Sequence, residues 1–207
     1  MNPVLRIGAD PFPPYQYYDE NGVVCGIDCD TVTAAFQEAG YDIEIELLDW
    51  AFVQEKLDNG TFQAIFQVQP NPERLAKYCF SDLLRNAVTE VVSSREGLLL
   101  RGYQDIPAQN LTLGVLQGYT NGPEIDAIPA SAKKEYPDNV SLLKAISAGF
   151  VDLGVFDRGV KAYLMEQQGI TNIYSIDSMT YSRPLHVVFC DAALRDAFNS
   201  ALEKVKK

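Results

Sequence analysis

A single histidine, His186, stands among the 207 residues. That scarcity excludes His-rich zinc sites and the HExxH hydrolases, which hold their metal through paired imidazoles. GxGxxG, the Walker loop and GxSxG are all absent. Gly118-Tyr119-Thr120-Asn121-Gly122 comes nearest to a nucleophile elbow, but it carries Thr where the elbow needs Ser. The cysteines Cys25, Cys29, Cys79 and Cys190 form no CxxC pair, so neither a zinc ribbon nor a thioredoxin centre is encoded. Cys25 and Cys29 lie close enough in sequence to bridge in an oxidising compartment. Cys79 and Cys190 sit in apolar runs, where a thiol packs as a small hydrophobe. No apolar run approaches the roughly 20 residues of a membrane-spanning helix. Met1 to Ile7 has no signal-peptide core, which fits either a cytoplasmic protein or one whose secretion signal has been removed.

Positive charge is also short. Seventeen Lys and Arg face 28 Asp and Glu, a net charge of −11. Phosphate binding is driven by cations releasing counterions, so this balance argues against nucleic acid or an anionic membrane as partner. The apolar fraction of 47% is that of a folded globular chain, long enough to bury a core without metal or disulfide staples.

What is present is an alternation of strands and helices. Val4 to Ala9 reads as a strand ending in Asp10-Pro11-Phe12-Pro13-Pro14, and Asp19-Glu20-Asn21-Gly22 as a hairpin turn. Asp30 opens a helix over Thr31 to Ala39, closed by Gly40. Asp42 to Leu48 alternates with period two, as a half-buried strand does. Phe52 to Leu57 reads as a helix and Phe62 to Val68 as a strand. Asn71-Pro72-Glu73 is a helix start: Asn as N-cap, Pro at the first position, Glu in the positive first turn. After Ala87 to Ser93 the composition breaks at Ser94-Arg95-Glu96-Gly97, and the alternation resumes. Strands are expected at Leu111 to Leu116, Val151 to Phe156, Asn172 to Ile176 and Leu185 to Cys190. Helices are expected from Pro123, at Ser141 to Ala148, Gly159 to Gln168 and Ala192 to Lys206. This order predicts an α/β fold with mainly parallel sheets, whose ligands gather at the carboxyl ends of the strands.

Several segments in this order carry a resemblance. They are Leu5-Arg6-Ile7-Gly8-Ala9-Asp10, Pro13-Pro14-Tyr15, Gly26-Ile27-Asp28-Cys29-Asp30, Pro72-Glu73-Arg74 and Phe80-Ser81-Asp82. Leu113-Gly114-Val115 with Gly118, Ala148-Gly149-Phe150-Val151-Asp152 and Val155-Phe156-Asp157 continue it. Together they resemble the bacterial family 3 extracellular solute-binding proteins, the polar-amino-acid receptors of ABC importers, over nearly the whole chain. The resemblance implies a type II periplasmic-binding-protein-like fold. Its two lobes would each be a mainly parallel sheet flanked by helices, with two crossovers and a ligand trapped between them by hinge closure. Lobe 1 would be residues 1–93 plus 185–207, and lobe 2 residues 97–183. A last C-terminal element of the family is expected beyond Lys207. The implied location is periplasmic, or extracellular and membrane-attached. The implied partners are a small amino-acid-like ligand and a membrane permease, for a monomer with no nucleic acid, cofactor, metal or catalytic residue.

A free amino acid is a zwitterion, so holding it needs a fixed cation and a fixed anion. The resemblance assigns the carboxylate to Arg74, whose guanidinium makes two-pronged contacts from the third helical position. It assigns the ammonium to Asp157, at the end of an apolar strand; the same Asp would equally cap the helix from Gly159. Trp50 matches a position that stacks on the ligand side chain, although the only Trp would also serve a core. Phe12 and Tyr15 are the aromatic candidates of the first loop. Asp10 could reach a ligand amide or cation, or make an Asx turn before Pro11. The chain departs from the family pattern at Gln67 and Gln69, where small residues are usual, and at Tyr119 and Thr120 after Gly118. These leave the ligand's identity open. Two other outputs on the same scaffold are a ligand-sensing domain of a signalling protein and a dehydratase resembling the cyclohexadienyl dehydratases. The latter needs a general acid, for which Glu90 or Glu124 could be offered.

Overall fold

The computed structural model describes residues 4–117 and 121–206. In chain order the elements are β1 (Leu5–Ala9), β2 (Tyr17–Tyr18), β3 (Val24–Cys25), α1 (Ile27–Glu38), β4 (Ile43–Leu47), α2 (Trp50–Asp58), β5 (Ala64–Val68), α3 (Pro72–Lys77) and β6 (Cys79–Ser93). They continue with α4 (Asp105–Ala108), β7 (Leu113–Leu116), α5 (Pro123–Asp126), β8 (Lys133–Tyr136), α6 (Asn139–Ser147), β9 (Leu153–Asp157), α7 (Arg158–Gln168), β10 (Tyr174–Phe189) and α8 (Ala192–Val205). The chain forms two compact units. One runs to Asn86 and resumes at Arg183; the other is Ala87–Ser182. The long strands β6 and β10 are the two connections. The first unit ends ahead of Ser93 because Thr89 to Ser93 pair with Asp157 to Leu153 of β9.

In the first unit β1 pairs in parallel with both β4 and β5, and β10 runs antiparallel to β5. The core under this sheet is Ile7, Val32, Phe36, Phe66, Val187, Phe189, Phe198 and Leu202 with their neighbours. Phe36, Phe189 and Phe198 form a triangle with centroids 4.9, 5.5 and 6.1 Å apart, a spacing at which tilted rings attract. Gly8 is required by packing: a Cβ there would lie 2.3 Å from the Phe62 ring. In the second unit β7 pairs in parallel with β8 and β9, and β6 runs antiparallel to β9. Its core is built on Leu113, Ile125, Leu153, Ile106 and Met179.

Local chemistry explains most element ends. Asp19 Oδ1 accepts from the N–H groups of Asn21 and Val23, both at 2.8 Å, and so fixes the β2–β3 turn. Gly169 ends α7 in the left-handed conformation, φ 62°, which suits a residue without Cβ. Several expected boundaries shift. α1 begins at Ile27, a turn earlier than its acidic residues suggested, because Gly26 at φ 125° frees the chain to enter the helix there. The strand expected at Ala87–Ser93 is the end of the much longer β6, and those expected at Asn172–Ile176 and Leu185–Cys190 overlap the two ends of one long strand, β10, which runs from Tyr174 to Phe189. Among the described residues no helix is long and apolar enough to cross a membrane. All four cysteines are unbridged, so the Cys25–Cys29 bridge is not formed.

Candidate functional site

Three parallel strands of the first unit end on the same side, and each hands the chain to a predicted site residue. Asp10 follows β1, Trp50 opens the helix after β4, and Gln69 follows β5. This is where open α/β sheets place their ligands. Asn71 caps α3, its Oδ1 accepting from the backbone N–H of Arg74 at 2.8 Å. That turn aims the half-buried Arg74 side chain back toward β5. Its Nη1 donates to the Gln69 carbonyl at 3.0 Å, and the guanidinium lies over the Trp50 ring, 5.4 Å from the centroid. Arg74, Gln69 and Trp50 are thus one assembly. A groove of about 700 Å³ between α2 and α3 has Arg74, Asp58, Lys77 and Tyr78 on its walls. In it, Asp58 accepts from Tyr78 Oη and Lys77 Nζ, each at 2.6 Å.

A second assembly gathers Tyr15 and Gln67 around residues that the sequence reading passed over. Arg85 of β6 donates from Nε to Asp28 Oδ2 at 2.8 Å and from Nη2 to Gln67 Oε1 at 3.0 Å. The Arg85 guanidinium carbon lies 3.4 Å from the centroid of the Tyr15 ring. Gln67 Nε2 donates in turn to Gln16 Oε1 at 2.9 Å and to Asp28 Oδ2. The Asp28 side chain is 3% exposed and that of Arg85 16%. Gln67 holds φ 68°, a conformation that costs a non-glycine residue energy and that persists where surroundings over-determine it. Phe12 stacks beside Tyr15, with centroids 6.1 Å apart and planes 17° from parallel. Asp10 lies near the start of this loop. Removal from water pushes its carboxyl up to about 6, partly offset by a hydrogen bond to its own backbone N–H.

In the second unit Asp157 ends β9 and caps α7. Its Oδ1 accepts from the N–H groups of Gly159 at 2.9 Å and Val160 at 3.3 Å. The capping role weighed for this residue is therefore present, at the carboxyl end of a strand parallel to β7. Tyr119 and Thr120 lie outside the described residues. Tyr181 Oη of β10 donates to the Asn121 carbonyl at 2.6 Å. Glu90 is fully buried and held by Lys161 Nζ at 2.5 Å and Arg158 Nε at 3.1 Å. It is thereby a member of an ion network rather than a lone acid. Glu124 lies in the first turn of α5. Among the described residues no group of three His, Cys, Asp or Glu could hold a metal ion.

An α/β scaffold with fixed cations and aromatic rings just past its parallel strands is an arrangement that suits small-ligand binding. The chain belongs to the bacterial extracellular solute-binding proteins, family 3, whose model matches residues 5–207. It is 24% identical over 211 residues to the Bacillus subtilis (strain 168) protein named "Probable amino-acid-binding protein YxeM", covering 99% of this chain and 79% of that protein. Its fold is similar to that of an ancestral arginine-binding protein solved with glutamine, with TM-score 0.79 and 23% identity over 100% of this chain and 93% of that one. It is also similar to a histidine kinase sensor domain, with TM-score 0.81 and 17% identity over 98% and 90%. The architecture is thus the two-lobed α/β fold of the periplasmic amino-acid-binding proteins.

Proposed function

We propose that this protein binds a free amino acid, without transforming it, and delivers it to an ABC importer from outside the cytoplasmic membrane. Arg74 takes the ligand carboxylate and Asp157 its ammonium, and hinge motion about β6 and β10 accompanies capture. The Arg74 assembly carries this reading. An Asn71-capped turn, a backbone carbonyl and the Trp50 face hold one guanidinium in a set orientation, which lowers the entropy lost on ligand binding. Support also comes from the family match, whose members are extracellular solute-binding proteins. Thermal unfolding with each of the twenty amino acids tests the reading, because a ligand that binds only the native state raises Tm. At least one amino acid should raise it in the native protein and fail to do so in Arg74→Ala.

A second reading keeps the ligand and changes the output to a conformational signal. It is favoured by the likeness to the kinase sensor domain. The full-length gene product decides: an appended membrane and signalling module supports the sensor.

A further inference from the structure

The Tyr15 face, the Asp28 carboxylate and the Gln67 amide oxygen surround a flat cation on three sides, and the cation is the chain's own. We propose that they form a guanidinium-binding slot filled by Arg85, and that Arg85 is the residue that bars cationic side chains from the ligand site. The second half rests on the amino-acid-binding reading above; the first half does not.

The slot has the parts such a cation requires. Its π face lies against an aromatic ring at 3.4 Å, where the ring quadrupole attracts positive charge. Its edge meets a carboxylate at 2.8 Å and an amide oxygen at 3.0 Å, both acceptors. The carboxylate is almost wholly removed from water, so the attraction is weakly screened. Gln67 is held in place by Gln16, in the strained backbone conformation described above. An ammonium would match the charge but neither the planar stacking nor the fork.

A ligand side chain that brought a guanidinium or ammonium to the Tyr15 ring would have to displace Arg85 or sit beside it as a like charge. Tyr15, the ring expected to meet the ligand, is already covered. With Tyr15 as the ligand-facing ring, the site takes ligands with neutral or acidic side chains, and Arg85 sets that preference.

The test is chemical rescue. Arg85→Ala is purified, and thermal unfolding is followed with methylguanidinium or methylammonium at millimolar concentration, alongside the native protein. A Tm rise specific to methylguanidinium and to the variant supports the slot; no such rise, or an equal rise in the native protein, overturns it. Arginine binding is then titrated by calorimetry. Arginine should bind Arg85→Ala about tenfold or more tighter than the native protein. Native protein that binds arginine as tightly as any neutral or acidic amino acid overturns the specificity role. Rescue by methylguanidinium with no amino acid bound by either protein leaves the slot standing and refutes the amino-acid reading, and with it the ligand preference. Arg85→Gln carries both measurements if Arg85→Ala does not fold.

Discussion

Asp28→Ala should be among the most destabilising single changes in the first unit. It removes the anion from a pair at 2.8 Å whose partners are 3% and 16% exposed. At an effective dielectric near 20, two unit charges at that distance attract by about 6 kcal/mol before desolvation is counted. Desolvation of both ions offsets most of this in the intact pair. The single variant keeps the penalty on Arg85 and loses the attraction, a loss of about 3–5 kcal/mol. For a chain of this length that corresponds to a Tm lower by roughly 6–20 °C. Trp50 is the only Trp and lies in the same unit, so urea unfolding followed by its fluorescence reports the relevant lobe. Arg85→Ala and the Asp28→Ala/Arg85→Ala double variant complete a cycle. The double variant should lose less than the sum of the singles, by about 1–3 kcal/mol. A loss below about 1 kcal/mol for Asp28→Ala, or strict additivity, would refute the claim that the pair is desolvated and coupled.

Asn71→Ala removes the cap of α3 and should cost about 1 kcal/mol of stability, while lowering ligand affinity because Arg74 loses its fixed orientation; denaturation and calorimetry read the two effects separately. Phe198→Ala opens the aromatic triangle and should cost about 3–5 kcal/mol by thermal or urea unfolding. Asp10→Asn tests the raised carboxyl. Its folded pKa of about 6 exceeds the unfolded value of 3.8, so the native state binds the proton more tightly. Its ionisation therefore costs stability that grows as pH rises from about 4 to about 6 and is fully present above. Asn should recover up to about 3 kcal/mol at pH 7 and nothing below pH 4. Asp19 and Asp58, held below the ordinary range by backbone N–H groups and by Lys77 respectively, act in the opposite sense. The difference between Asp10→Asn and native protein therefore isolates Asp10, and an identical pH profile for the two would contradict its burial. Incubation with prephenate should yield no turnover; product would instead favour the dehydratase alternative.

Much of the fold was legible because its signals are local. Asn71-Pro72-Glu73 encodes its own cap, and the structure shows the bond that the cap implies. The Asp19 to Gly22 turn is closed by its own Asp side chain. The long strands were read in pieces because their continuity depends on partners distant in sequence. Cys79–Ser93 alternates charged, polar and apolar residues without a clean period, and only part of it pairs with β9. β8, Lys133–Tyr136, was missed altogether: Lys-Lys-Glu-Tyr has no hydrophobic alternation and is set by register against β7. At the site, Arg74, Gln69 and Trp50 come together, as do Phe12, Tyr15 and Gln67. Of the partners of the second group, Gln16 and Arg85 went unremarked. Asp28 was read only as part of a sequence motif. Arg85 sits in a stretch of β6 where Asp82, Leu83 and Asn86 are exposed, so no pattern along the sequence singled it out. Tyr119 and Thr120 lie outside the described residues.

Calorimetric titration of the native protein and Arg74→Ala with the amino acid that most raises Tm tests the central claim most directly. The native protein should bind it, and the variant should lose about 2–5 kcal/mol of binding, roughly 30-fold to several thousand-fold in Kd. Equal affinity in both, or no response of the native protein to any of the twenty, would contradict it.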